Sequence, residues 1–287
     1  MVKNILTIDV EDWFQSSLEI LGPEYSNIPR PIFPSKQVIK NTQNVLRILS
    51  ENRIHATFFV LGTVAEVYPE LVQAICAARH DVGTHGYNHE LVYNHTQEMF
   101  RDDLQRSIKL LESITGERVS GYRAPYFSIT AKSNWALTVL AELGFKYDSS
   151  IFPVRRRLYG FNSADCHPHF IHTTSGDLWE FPISIIKLFG QNFPIMGGGY
   201  FRLLPYSFVK QAIKAINSKG KSVVFYMHPY ELDEEELRRP LLQESMKTRF
   251  VRFSQRVGRN KTEAKLRQLL TDFKWISIKD WIIECQS

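Results

Sequence analysis

Apolar positions along this chain fall into short continuous runs, separated by stretches in which they recur every three to four residues. The first run, over 4–10, is β-branched and apolar and predicts a strand. After a loop containing Pro23, Pro29, Pro31 and Pro34, residues 35–52 carry Val38, Val45, Leu46 and Leu49 at helical spacing, with Ser35 as the N-cap. A second buried run covers 55–62, and a helix is expected over 63–79 with Val64, Val67, Leu71 and Ile75 along one side. A third strand over 81–84 is followed by a helix over 96–115 that Gly116 stops. A fourth strand leaves through 119–126, and a helix over 131–143 ends at Gly144. Strands that are apolar throughout, rather than alternating, belong to a mostly parallel sheet covered by helices. Eight closed repeats are not evident, so the pattern predicts an irregular α/β barrel.

Beyond residue 150 the alternation weakens, and 151–174 reads as a long loop. Trp179-Glu180-Phe181-Pro182 reads as a strand end. Gly197-Gly198-Gly199-Tyr200-Phe201-Arg202 lacks the Lys-Ser/Thr of a phosphate-binding loop and is read as close backbone packing. A helix over 205–219 precedes a buried strand from 222 that ends at His228-Pro229. In the charged stretch 232–265, six cations (Lys247, Arg249, Arg252, Arg256, Arg259, Lys261) interleave with Phe250, Val251, Phe253 and Val257. Its plain reading is a solvated amphipathic helix. The sharper one is contact with an anionic membrane surface or a phosphate-bearing, lipid-linked substrate. A short strand near 275–277 and a terminal helix close the chain.

A length of 287 residues with 44% hydrophobic content suits one catalytic domain over 1–287, with a basic helical segment at 232–287. The formal charge of +5 comes from mixed signs, which argues against a nucleic-acid binder. Three widely spaced cysteines, Cys76, Cys166 and Cys285, suit a reduced compartment better than a disulfide framework. The first apolar run is too short for a secretory leader, and nowhere do about twenty apolar residues run together. The expected location is the cytoplasm.

Chemistry concentrates where predicted strands end. The first strand runs into Asp9-Val10-Glu11-Asp12, and carboxylates at a strand's C-terminal end lie where α/β folds place their sites. His85 and His89 are four apart in Gly83-Thr84-His85-Gly86-Tyr87-Asn88-His89; on one helical turn both imidazoles would leave the same face. A catalytic zinc takes three protein ligands, so a third is needed, and no general base lies between the histidines. The acidic cluster offers both. Arg123 could orient a carboxylate base through planar charge-assisted bonds, and Pro125 could turn the Tyr126 amide inward. His228 shares the expected rim. The histidines at 167, 169 and 172 have no acidic or thiol companion at useful spacing and read as a solvated or substrate-contacting loop.

Together these residues resemble the polysaccharide deacetylases of carbohydrate esterase family four, the NodB-homology fold. Thr7-Ile8-Asp9-Val10-Glu11-Asp12 is similar to the first motif, His85-Gly86-Tyr87-Asn88-His89 to the second and Arg123-Ala124-Pro125-Tyr126 to the third. His228 after Tyr226-Met227 is similar to the last, and Asp148 lies near a fourth. The resemblance implies a distorted (β/α) barrel, often of seven strands, that removes N-acetyl groups from sugars with zinc or another divalent ion. It implies Asp9 as base, His228 as acid, Arg123 as orienter and Tyr126 as oxyanion donor. Trp13, Tyr126, Asp148, Glu180, Gly198 and Tyr200 fall on the substrate side. Asp-Val-Glu-Asp-Trp-Phe, Leu-Trp-Glu-Phe-Pro, the Gly-Gly-Gly-Tyr-Phe-Arg stretch and His-Pro-Tyr-Glu together resemble the branch found in exopolysaccharide and cell-envelope gene clusters. That branch departs from the usual Asp-Asp pair, so the third ligand is Glu11 or Asp12. Strand alternation puts Asp9 and Glu11 on one face and favours Glu11.

Overall fold

The computed structural model describes residues 2–15, 34–156, 159–238 and 245–286. Its strands, in chain order, are β1 (Lys3–Val10), β2 (Thr57–Val60), β3 (Asp81–Thr84), β4 (Gly121–Tyr122), β5 (Tyr147–Asp148) and β6 (His169–Thr173). They continue with β7 (Gly176–Glu180), β8 (Ile185–Leu188), β9 (Gln191–Pro194), β10 (Val224–Met227) and β11 (Lys274–Ile276). Seven of them run parallel in the order β10-β1-β2-β3-β4-β5-β7, giving the curled (β/α) sheet expected of a distorted seven-stranded barrel. β6 adds antiparallel outside β7, and β11 pairs with the first half of β1.

Among the described residues no ladder joins the two ends of the parallel set. Instead the chain after β7 returns to β10: the Ser184 N–H donates to Val224 O at 3.2 Å, and Gly197 bridges Tyr226. Gly197 explains the triple glycine. Its φ is +128° and a Cβ there would lie 1.9 Å from the Tyr226 carbonyl oxygen, so only glycine lets the two backbones meet. β1, β2 and β10 are buried along almost their whole length, with Leu6, Ile8, Phe58, Phe59 and Phe225 fully covered. That double-sided burial is why these strands read as unbroken apolar runs.

Several expectations are corrected. The helix over 63–79 is two, Gly62–Val67 and Pro69–Ala77, because Pro69 disfavours helical backbone at Tyr68 and instead opens the second helix. The helix Gln37–Asn52 starts after Lys36, and Ser35 still serves its first turn: its hydroxyl oxygen accepts from the Gln37 N–H at 3.2 Å and its hydroxyl donates to Asp12 Oδ1 at 2.8 Å. The helix expected at 131–143 spans Trp135–Glu142, because Ser133 accepts from the Thr130 N–H and holds the approach in a turn. The supposed loop 151–174 contains β6, and β8 and β9 form a hairpin that no pattern announced. Pro23, Pro29 and Pro31 lie outside the described residues.

Candidate metal and catalytic centre

The C-terminal ends of β1, β3, β4 and β10 converge on a cavity of about 170 Å³. Its lining includes Asp9, Glu11, His85, His89, Tyr126, Tyr200, Arg202, His228 and Glu231. β1 carries Asp9 into the site, with Glu11 one alternation further along. β3 delivers His85, but the expected helical turn from His85 to His89 is absent. Gly86 and His89 instead take left-handed backbone, with φ of +75° and +60°, and this bend turns both rings inward, 5.2 Å apart. A non-glycine residue in that region stores strain of ~1–3 kcal/mol, a common cost at functional sites.

Glu11, His85 and His89 each offer a ligand atom within 4.8 Å of the others, the one such trio among the described residues. His85 Nδ1 lies 2.8 Å from the Arg123 carbonyl oxygen, a contact that fixes its proton there and leaves Nε2 with a free lone pair. Burial, aided by His89, pulls the His85 imidazole down to about 3, so it stays neutral as a ligand must. Glu11 Oε2 is 3.9 Å from His85 Nε2 and 2.6 Å from His89 Nε2. No donor reaches that buried oxygen in hydrogen-bond geometry. Burial would raise the Glu11 carboxyl, but His89, His228 and His85 outweigh it and hold it below its usual range. A buried carboxylate oxygen without a donor in hydrogen-bond geometry, facing two imidazole nitrogens, fits a divalent cation.

Asp12, the other candidate third ligand, is turned away. Its oxygens accept from the Ser35 N–H at 2.7 Å and from the Ser35 hydroxyl. Burial, only partly offset by those bonds, pushes this carboxyl up to about 6.

Asp9 is held for a different task. Arg123, fully buried, donates from Nη1 to Asp9 Oδ1 at 2.7 Å and to Thr7 Oγ1 at 2.8 Å, and from Nε to the Ser149 carbonyl at 2.9 Å. Its guanidinium also lies 4.4 Å above the Phe59 ring. Opposite, His228 Nε2 is 3.2 Å from Glu11 Oε1 and 4.0 Å from Asp9 Oδ2. His228 Nδ1 sits 2.8 Å from Glu231 Oε1, and its ring stacks on Tyr230. Burial works against its proton, but the Glu231 bond and the Glu11 and Asp9 charges prevail and raise it to about 9. Glu231 was passed over in the sequence, although its i+3 placement behind a strand-end histidine was the available signal.

Of the expected substrate-side residues, Tyr126 and Tyr200 line the cavity. Tyr126 sits at φ +54° directly after Pro125, and its hydroxyl donates to the Gln15 carbonyl. Asp148 and Glu180 are a correction: both are fully buried, paired across β5 and β7, and cannot touch a substrate. Burial and the adjacent Asp148 charge drive Glu180 far above its usual range. Gly198 packs on the Tyr226 ring and its neighbour Gly199 reaches the cavity instead. Trp13 lies outside the lining, with the Arg252 guanidinium 5.9 Å from its ring. A larger depression of about 970 Å³, lined by Arg155, Arg156, Asp165, His167 and Lys187, shares no residue with the site. Its histidine belongs to no metal trio among the described residues, and neither do His169 and His172.

The curled parallel sheet, with its two-histidine, one-carboxylate trio beside an Arg-held aspartate, is built partly from a stretch that is similar to the polysaccharide deacetylase family. That family's pattern matches residues 36–147, while 149–283 match a domain of unknown function (DUF3473). A peptidoglycan deacetylase of Helicobacter pylori is 31% identical over 136 residues, 47% of this chain and 41% of the relative. The chain thus spans less than half the length of that relative. A crystal structure assigned to the polysaccharide deacetylases, from Mycobacterium smegmatis, superposes with a TM-score of 0.64 at 23% identity, covering 98% of this chain and 88% of that one. The PuuE allantoinase structure gives 0.61 at 16% identity, covering 97% and 88%. These two likenesses concern the fold alone.

Proposed function

We propose that the chain is a metal-dependent hydrolase that removes N-acetyl groups from a carbohydrate of the cell envelope or an exopolysaccharide. The carrying observation is the convergence of Glu11, His85 and His89 with the Arg123–Asp9 pair and His228 on one cavity. Bound by the first three, a divalent cation such as zinc would supply Lewis-acid polarisation of the acetyl carbonyl and a more acidic water. Asp9 Oδ2, the oxygen not taken by Arg123, accepts the proton of the attacking water. Arg123 fixes that carboxylate in place through a charge-assisted hydrogen bond. The Tyr126 amide is assigned to the developing oxyanion, a role supported by the presence of Tyr126 in the cavity lining. His228, oriented by Glu231, gives its proton to the departing amine, so water and amide become acetate and a free amino sugar.

The name of the Helicobacter relative supports an envelope glycan as substrate. The cytoplasm is proposed as the location from the three unpaired cysteines, to be checked by fractionation. The test is acetate release from a panel of N-acetylated glycans and nucleotide sugars, with and without chelator. Chelator-sensitive release supports the reading. Turnover of cyclic ureides alone would make the chain an allantoinase-like amidohydrolase, and glycan binding without any release would make it a silent carbohydrate-binding protein.

A further inference from the structure

The helix Met246–Arg256 is amphipathic in an unusual sense, with apolar side chains on both its faces. Val251 packs inward with Thr248 and Arg252, whereas Met246, Phe250, Phe253 and Val257 are 80%, 69%, 61% and 39% exposed. Those four follow one another at steps of four, three and four residues, so they form a single outward stripe. Arg249, Arg256 and Lys261 are exposed beside it. Across 245–262 the sequence holds six cations and no acid. Two of the six, Arg252 and Arg259, are buried; Arg259 pairs with Glu236 and so helps hold the segment to the body rather than serving its surface.

We propose that this stripe docks the protein on an anionic lipid bilayer. Aromatic and thioether side chains flanked by cations, on a helix of low mean hydropathy, are the composition that lies in a headgroup layer. Among the described residues no helix is long and apolar enough to cross a membrane, so contact is interfacial. A second copy of this chain would meet the stripe with the same positive charge, which disfavours that occupant. The helix is also fastened to the site. Arg202 donates to the Ser254 carbonyl at 3.2 Å and to the Gln255 carbonyl, and both Arg202 and Gln255 line the catalytic cavity. Leu203, 58% exposed, extends the apolar surface next to Arg202. Docking therefore brings the cavity close to the bilayer surface, where a membrane-tethered glycan would lie.

The test is flotation of the full chain with vesicles of phosphatidylcholine alone and with vesicles half composed of phosphatidylglycerol. This measurement does not depend on catalysis, so its failure is separate from failure of the deacetylase reading. Wild type should float with the anionic vesicles only, and less at high salt. Arg249→Gln/Arg256→Gln should lower partitioning about thirtyfold, roughly fivefold for each cation lost near an anionic surface. Phe250→Ser/Phe253→Ser should lower it by roughly tenfold or more, with an unchanged unfolding temperature because both rings are exposed. Wild type that fails to float, or variants that float as well as wild type, overturns the proposal. So does a wild-type dimer in sedimentation equilibrium that the phenylalanine variant abolishes, with no lipid binding by either.

Discussion

Arg123→Met is the perturbation that most directly tests the ordering of the site. Arg123 is fully buried and Asp9 is 2% exposed, so their 2.7 Å pair is a desolvated one. Removing one partner of such a pair costs about 3–5 kcal/mol, chiefly because the other charge stays buried and unpaired. The lost hydrogen bonds add little. Thr7 Oγ1 still donates to the Phe225 carbonyl at 2.8 Å, and Ser149 Oγ still donates to the Phe181 carbonyl at 2.7 Å. His228 does not replace the arginine, since its Nε2 is nearer Glu11 than Asp9. The cost should therefore sit in Asp9, and Asp9→Asn should remove most of it. Urea unfolding of chelator-treated protein, free of stabilisation by bound metal, measures all four corners of the cycle. The double variant is expected to be more stable than Arg123→Met alone, with a coupling of about 2 kcal/mol or more. Additive effects, or a cost below about 1 kcal/mol for Arg123→Met, would refute this account of the pair.

Metal analysis should show Glu11→Gln, His85→Ala and His89→Ala depleted and Asp12→Asn loaded like wild type, since the Asp12 carboxyl is bonded to Ser35; equal loading throughout refutes the trio. His228→Ala should lower kcat by ~10²–10⁴-fold, and Glu231→Gln should lower it less while leaving metal content intact, both read by acetate release. Asp9→Asn should nearly abolish turnover with metal still bound, because the proposed mechanism uses Asp9 as the base and the trio does not include it. Stability should also respond to pH through His80, far from the site. Its Nδ1 accepts from the Ala56 N–H at 3.2 Å, and burial, with His55 beside it, lowers its imidazole to about 4. A folded value below the unfolded 6.5 means stability is full above pH 6.5 and falls toward pH 4, by up to about 3 kcal/mol. Urea midpoints across that range check it, and His80→Asn should flatten the slope.

What the sequence disclosed and what it hid divide along physical lines. β1, β2 and β10 were legible because both faces are buried, and Glu11 was favoured over Asp12, which stayed the alternative, because extending the alternation of β1 puts Glu11 on the face of Asp9. β6 was hidden for the opposite reason. His169-Phe170-Ile171-His172-Thr173 is a half-exposed edge strand whose partner, β7, follows at once, so its apolar content is low. The turn at His85–His89 was misread since spacing alone does not distinguish a helical turn from a bend with two left-handed residues. Asp148 and Glu180 mislead in a more instructive way. An acid at a parallel strand's C-terminal end faces either the site or the barrel interior, and a one-dimensional pattern treats both alike. Register separates them. Asp148 is paired with Glu180, and Ser150 donates from both its N–H and hydroxyl to the Asp148 carboxylate. Two adjacent buried carboxyls, both held above their usual range by burial, form a hydrogen-bonded structural unit, not a ligand-binding one. The Glu180 oxygen also accepts from the Ile151 N–H at 3.1 Å, on the residue that follows Ser149 and Ser150. Ser149 and Ser150 in turn bond Arg123 and the Ala124 N–H. The pair thus supports the floor on which Arg123 rests, and its effect on chemistry runs through the orientation of Asp9.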